Sequence, residues 1–234
     1  MNIVSIAIQL FVLLFAITVH EASHGWAANR MGDPTAFNLG RVTLNPIAHI
    51  DPLGTILLPI LISLVGLPAF GWAKPVPVNP YNLRNPRRDN VWISFAGPAA
   101  NGLVALACFI ILLILKFVSP AVDQFLKVVV HTLYKNPEIL RSALPGGFFI
   151  LQGLALLLYF AVLINIYLAV FNLIPIPPLD GGQILGRLLP AGWQRAWDQL
   201  ARFSFAIMIG LLFLGVPYML FAPVLGWFHR LLSL

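Results

Sequence analysis

His20 and His24 stand four residues apart with Glu21 between them, in the run VHEASHG. On a helix that spacing points both imidazoles from one face, one turn apart. Two histidines so placed can share one zinc ion. A glutamate beside them can then serve as general base toward water that the metal has acidified to a pKa of about 7. Zinc used in this way takes three protein ligands and keeps a fourth position open. Candidates for the third ligand are Asp180, His49, Asp51, His131 and His229. Asp180 is favoured, because it follows a long charge-free run, Ala143 to Leu179, inside NLIPIPPLDGG (Asn172 to Gly182). There prolines break the helix, and Gly181 and Gly182 permit close backbone approach. His49, in LNPIAHIDP, is the runner-up. The competing readings are a polar helix end for VHEASHG and a capping or turn aspartate for Asp180.

The elements that position these residues belong to a membrane. Hydrophobic residues make up 59% of the 234 and charged ones only 9%, where an ordinary soluble domain has roughly 45–50% and about 25%. Eight acidic and fourteen basic side chains could not cover a soluble surface of this size. Lipid removes that need. A soluble zinc protease is therefore excluded by composition. The net charge of +6 is no nucleic-acid footprint, since the basic residues are scattered between apolar segments. Residues so placed record orientation. The single cysteine, Cys108, lies within an apolar segment and reads as a small buried side chain.

The first apolar segment, Ile3 to Val19, lacks the basic start of a signal peptide, and its helix is expected to continue through Ala28. Pro52 to Ala73 is interrupted by Pro59, Gly66, Pro68 and Gly71. Such breakers suit a re-entrant segment, where protein or a wet cavity satisfies the freed backbone groups. A linker with Lys74, Arg84, Arg87 and Arg88 precedes a span over Val91 to Leu115. VDQFLKVVVHTLY reads as a surface-lying amphipathic helix. A further span covers Phe149 to Phe171, and Phe203 to Phe228 forms one tilted helix or, preferably, a hairpin broken near Gly215 and Pro217. The expected architecture is an all-α polytopic membrane protein. It has a three-helix zinc-binding core, a re-entrant segment and additional C-terminal membrane helices. One domain is expected over 1–234, its core at about 3–190 and a C-terminal helical segment or hairpin at 197–232. No stretch between the apolar segments is long enough for a soluble regulatory domain.

With these motifs in place, the sequence resembles the site-2 protease family of intramembrane zinc metalloproteases (peptidase family M50), in particular its short prokaryotic members. The family's HExxH appears as His20, Glu21, Ala22, Ser23 and His24, and its NxxPxxxxDG as Asn172, Pro175, Asp180 and Gly181. FAGPAAN (Phe95 to Asn101) is similar to a third recurring element, with Gly97 and Pro98 opening a helix and Asn101 facing the core. GRVTLNPIAHIDPLGT (Gly40 to Thr55) resembles the small-member subgroup. The resemblance implies His20, His24 and Asp180 as ligands of one Zn2+ per chain and Glu21 as the catalytic base. It implies Asn172 and Asn101 as active-site support, and single-pass membrane segments or membrane-anchored peptides as substrates.

A shared metal imposes a topology. The first span and the Phe149–Phe171 span must both end on the side of the zinc, which requires that Leu53–Pro68 not cross. Arg84, Arg87 and Arg88 then mark the zinc side of a prokaryotic plasma membrane as cytoplasmic. Lys116, Lys127, Lys135 and Arg141 oppose that orientation, offset in part by Asp123 and Glu138. Two other functions share these residues. A metal-transporting membrane protein would need ionisable groups along a path, which the spans lack. A catalytically inactive scaffold of the same fold would not need all four chemical residues intact.

Overall fold

The computed structural model describes residues 3–57, 73–135 and 150–233. The described chain is helical, with loops and short turns between helices. In chain order the helices are α1 (Ile3–Arg30), α2 (Thr35–Asn38), α3 (Pro86–Val118), α4 (Pro120–Lys135), α5 (Ile150–Asn172), α6 (Asp180–Leu188), α7 (Gln194–Arg202), α8 (Ser204–Phe213) and α9 (Val216–Ser233). Among the described residues α1, α3 and α5 are long and apolar enough to cross a membrane. Their lengths follow from the absence of charge, since about 20 apolar residues span the hydrocarbon. The protein is an all-α polytopic membrane protein.

Three boundaries differ from the sequence expectation. α3 begins at Pro86, so Arg87 and Arg88 lie on a helix and not in a linker, and Gly97 and Pro98 sit inside that helix instead of opening it. The cause is a cap. Asn85 Oδ1 accepts the Arg88 amide at 3.2 Å, and Asp89 Oδ2 accepts the Asn85 amide at 2.8 Å, with Pro86 in the first helical position. At the C-terminal end the chain breaks where expected, at Gly215 with φ +69°. However, α8 and α9 are bent by 50°, which is neither one straight helix nor a hairpin reversal. The segment expected to be re-entrant, Leu53–Pro68, falls largely outside the described residues, which stop at Leu57 after a single π-helical stretch, Pro52–Leu57.

The chain divides into two compact units. The first draws on Met1–Leu13, Asn101–Phe171 and Ala206–Leu234. Its core is apolar: Val122, Phe125, Leu126, Val129 and Val130 of α4 are buried together with Leu112, Leu156, Tyr159, Phe228 and Leu232. The α4 positions recur at helical spacing, which makes it the amphipathic helix its sequence predicts. Several polar side chains within this unit pair with one another. Asn101 donates to Asn165 Oδ1 at 2.7 Å, and Asn165 in turn donates to the Ala161 carbonyl at 2.8 Å. Lys116 and Lys127 both reach Asp123, at 3.6 and 2.9 Å.

The second unit, Leu14–Ala100 with Asn172–Phe205, is held by polar ties as much as by apolar packing. Asp33, without solvent exposure, accepts from the Asn79 amide at 2.6 Å and the Asn82 side chain at 2.9 Å, and also from Thr35. Burial pushes its carboxyl up, but these hydrogen bonds more than offset it and hold the group below the usual carboxylate range. Arg41 donates to the Lys74 carbonyl at 2.7 Å, and the Lys74 amide donates to the His49 carbonyl at 2.9 Å. The loops after α1 are thereby fastened to the extended stretch that leads to α3.

Candidate metal centre

The C-terminal half of α1 carries His20 and His24 on one face, their rings 4.7 Å apart and nearly perpendicular. Asp180, the first residue of α6, faces both. Its Oδ2 lies 3.0 Å from His20 Nε2 and 3.5 Å from His24 Nε2. Ligands about 2.1 Å from a tetrahedral zinc stand about 3.4 Å from one another, so these separations fit one ion. Among the described residues this is the cluster with metal-ligand geometry, its three donor atoms all within 4.8 Å. The side chains are only 8, 12 and 10% exposed.

Two further observations support the fit. His24 Nδ1 is 2.7 Å from the Ile93 carbonyl. A carbonyl only accepts, so Nδ1 carries the proton and Nε2 presents its lone pair to the centre, the usual outer-shell orientation of a metal-binding histidine. Asp180 Oδ2 is buried without a well-aligned hydrogen bond, as a donor aimed at a common point should be.

The local sequence explains how Asp180 arrives. α5 ends at Asn172, and the proline-rich coil that follows folds tightly onto the first turn of α6. A Cβ on Gly181 would collide with the Leu173 and Ile174 carbonyls, and one on Gly182 with Ile176 and Pro177. Neither position has room for a side chain. At its other end α6 is held by Arg87 of α3, whose guanidinium donates to the carbonyls of Arg187 at 2.6 Å and Leu189 at 2.9 Å.

α3 completes the cradle. A Cβ on Gly97 would come within 2.5 Å of His24 Nε2 and 2.7 Å of His20 Cε1. Gly25 is similar, with Val42, Ala36 and Val76 already 3.0–3.2 Å from where its Cβ would be. Glu21 lies beside the cluster, and its Oε2 accepts the Val76 amide at 3.2 Å.

The other candidate ligands have other roles. His49 is buried with Nε2 3.0 Å from the Thr43 carbonyl. Asp51 accepts the Leu53 and Gly54 amides at 2.9 and 2.8 Å. His229 belongs to the first unit, with Nε2 2.7 Å from the Tyr159 hydroxyl. The side chain of His131 is outside the described set. Asn101 is placed in the first unit, bonded to Asn165. Sequence reasoning missed three contributors: the Ile93 carbonyl, the Arg87 clamp and the contact of Gly97 with both histidines. Only Gly97 had a signal, as part of FAGPAAN, and that signal did not point to the histidines.

Fold and site together define a polytopic membrane protein with a buried His/His/Asp zinc-binding centre. The profile of peptidase family M50 matches residues 8–215, and the chain belongs to that family. It is similar to the candidate zinc metalloprotease YwhC of Bacillus subtilis (strain 168), 35% identical over 86% of this chain and 78% of that one. It is also similar to two proteins named Rip2, candidate zinc metalloproteases as well. That of Mycobacterium tuberculosis (strain H37Rv) is 29% identical over 93% of this chain and 74% of its own. That of Mycolicibacterium smegmatis is 27% identical over 92% and 70%. No solved structure gives a significant match.

Proposed function

We propose that this protein is a zinc-dependent endopeptidase that cleaves membrane-embedded or membrane-anchored polypeptides, with Glu21 as its catalytic base. The observation that carries the reading is the convergence of His20, His24 and Asp180 on one buried point, with Glu21 one residue from the first ligand. Zinc held there supplies a Lewis acid for the scissile carbonyl and lowers the pKa of water to about 7. Glu21 takes the proton from the attacking water and returns it to the leaving amine. Its carboxylate is steadied by the Val76 amide on Oε2, which leaves Oε1 for the transfer. His24 is fixed in the required tautomer by the Ile93 carbonyl. Asn172, where α5 ends and the coil toward Asp180 begins, supports the active site or the substrate strand, and the family resemblance gives Asn101 as a second supporting residue.

The substrate must present an unwound segment, because a helical amide has its carbonyl committed to an internal hydrogen bond. The zinc side faces the cytoplasm. Support comes from the basic residues that flank the site, with Arg30 at the end of α1 and Arg84, Arg87 and Arg88 around the start of α3.

The test compares wild type with Glu21→Gln in detergent, for zinc content and for cleavage of membrane-segment peptides. Equal zinc with cleavage lowered roughly 10²–10⁴-fold is expected for loss of a general base. Undiminished cleavage by the purified variant removes Glu21 from the mechanism, and a folded wild type that takes up no zinc removes the mechanism itself.

A further inference from the structure

Away from the metal centre, the end of α1 and the start of α3 form an open cavity of about 310 Å³ lined by Arg30, Met31, Arg84, Arg88, Asp89 and Trp92. This is the lower range of pockets that hold small ligands. Three arginines face one carboxylate there, and that carboxylate is already engaged. Asp89 is buried, accepting from the Asn85 amide at 2.8 Å and from Arg88 at 3.2 Å. Among the described residues no carboxylate pairs with Arg30 or Arg84. Arg30 instead lies over the Trp26 ring, 5.4 Å from its centre. The first turn of the 33-residue α3 also borders the cavity and adds the positive end of its helix dipole.

The position of this cavity points to its ligand. Two apolar spans have their ends there, where the headgroups of a bilayer would lie. Trp26 and Trp92 are each about half exposed (54 and 55%), as interfacial tryptophans are. From Trp92 an exposed aromatic surface continues one turn along α3 to Phe95, the two rings 6.4 Å apart. A phosphate seated among the guanidiniums would thus have its acyl chains beside an apolar surface. Arginine is suited to this, because its planar fork matches phosphate oxygens in pairs. We propose that the cavity is a binding site for the phosphate headgroup of an anionic phospholipid, separate from the metal centre and independent of the protease reading.

The experiment is lipid retention by the full chain in mild detergent, read by native mass spectrometry, with phosphatidylglycerol against phosphatidylcholine. Wild type should keep one phosphatidylglycerol per chain at concentrations where phosphatidylcholine is not kept. Arg30→Gln with Arg84→Gln should need on the order of tenfold more lipid for each arginine removed. Arg30→Lys with Arg84→Lys, which keeps the charge, should fall between. A control that removes two exposed charges elsewhere, Arg195→Gln with Arg202→Gln, should match wild type. Phosphatidylglycerol should also raise the unfolding temperature of wild type where phosphatidylcholine does not, which needs no variant. Equal retention by wild type and the double Gln variant overturns the proposal, as does equal retention of both lipids or an absent thermal shift. Displacement by equimolar inorganic phosphate would make this a free-phosphate site and overturn the lipid assignment.

Discussion

At the scale of residues, Gly97 sets two physical effects against each other. Alanine is the better helix former by about 1 kcal/mol, so Gly97→Ala should stabilise α3 if local propensity decided. Its methyl group would stand within 2.5–2.7 Å of both imidazoles, a distance no side chain accepts without movement. Sterics should win: we expect at least a tenfold loss of zinc affinity with the helix intact, measured by chelator competition alongside circular dichroism. Unchanged affinity would mean that the histidines yield freely and that the fit is loose. The comparison also marks what was legible. His20, Glu21, His24 and Asp180 stand out because rare ionisable groups at ligand spacing are conspicuous in a charge-poor chain. The contact of Gly97 depends on which face of another helix it meets, and no local pattern encodes that.

Among elements, α6 carries a ligand on its first residue and is secured at its last turn by a side chain from α3. Removing that clamp with Arg87→Ala leaves three carbonyls without their charged donor. A loss of about 1–2 kcal/mol is expected, at the lower end for charge-assisted bonds because the group is exposed. The readout is a lower unfolding temperature of the zinc-loaded protein. Arg87→Lys should restore it only partly, since a point charge cannot serve three carbonyls as a fork does; full restoration would show that charge alone suffices. Element boundaries were readable where charge was absent: α1 and α5 end within two residues of the predicted limits. The start of α3 was not, because Arg87 and Arg88 read as linker even though Asn85, Pro86 and Asp89 form a recognisable cap. At Gly215 the break itself is encoded by a residue at ease with positive φ, whereas no local residue pattern encodes the 50° angle.

For the whole molecule, charge is unevenly distributed. Nine of the fourteen basic residues fall in the unit that holds the metal centre. In the other unit Lys116 and Lys127 share Asp123. The proposed orientation, with the metal centre toward the cytoplasm, rests on the first fact. In a Cys108→Ser background, Phe37→Cys on exposed α2 should react with a membrane-impermeant maleimide in inside-out vesicles and stay unlabelled in right-side-out ones. The reverse pattern would invert the orientation. The grouping of Asp180 with His20 and His24 was predictable from composition and motif spacing together, because a shared ion ties distant residues to one place. What composition could not convey is that α3 acts as a ruler. Its cap, its clamp on α6, the Ile93 carbonyl and the gap at Gly97 all lie within the first few turns, each turned by 100° per residue from its neighbour. Inserting or deleting a single residue between Arg87 and Gly97 would swing one set of contacts a quarter turn or more out of line with the other, so the count of residues there carries as much information as their identity.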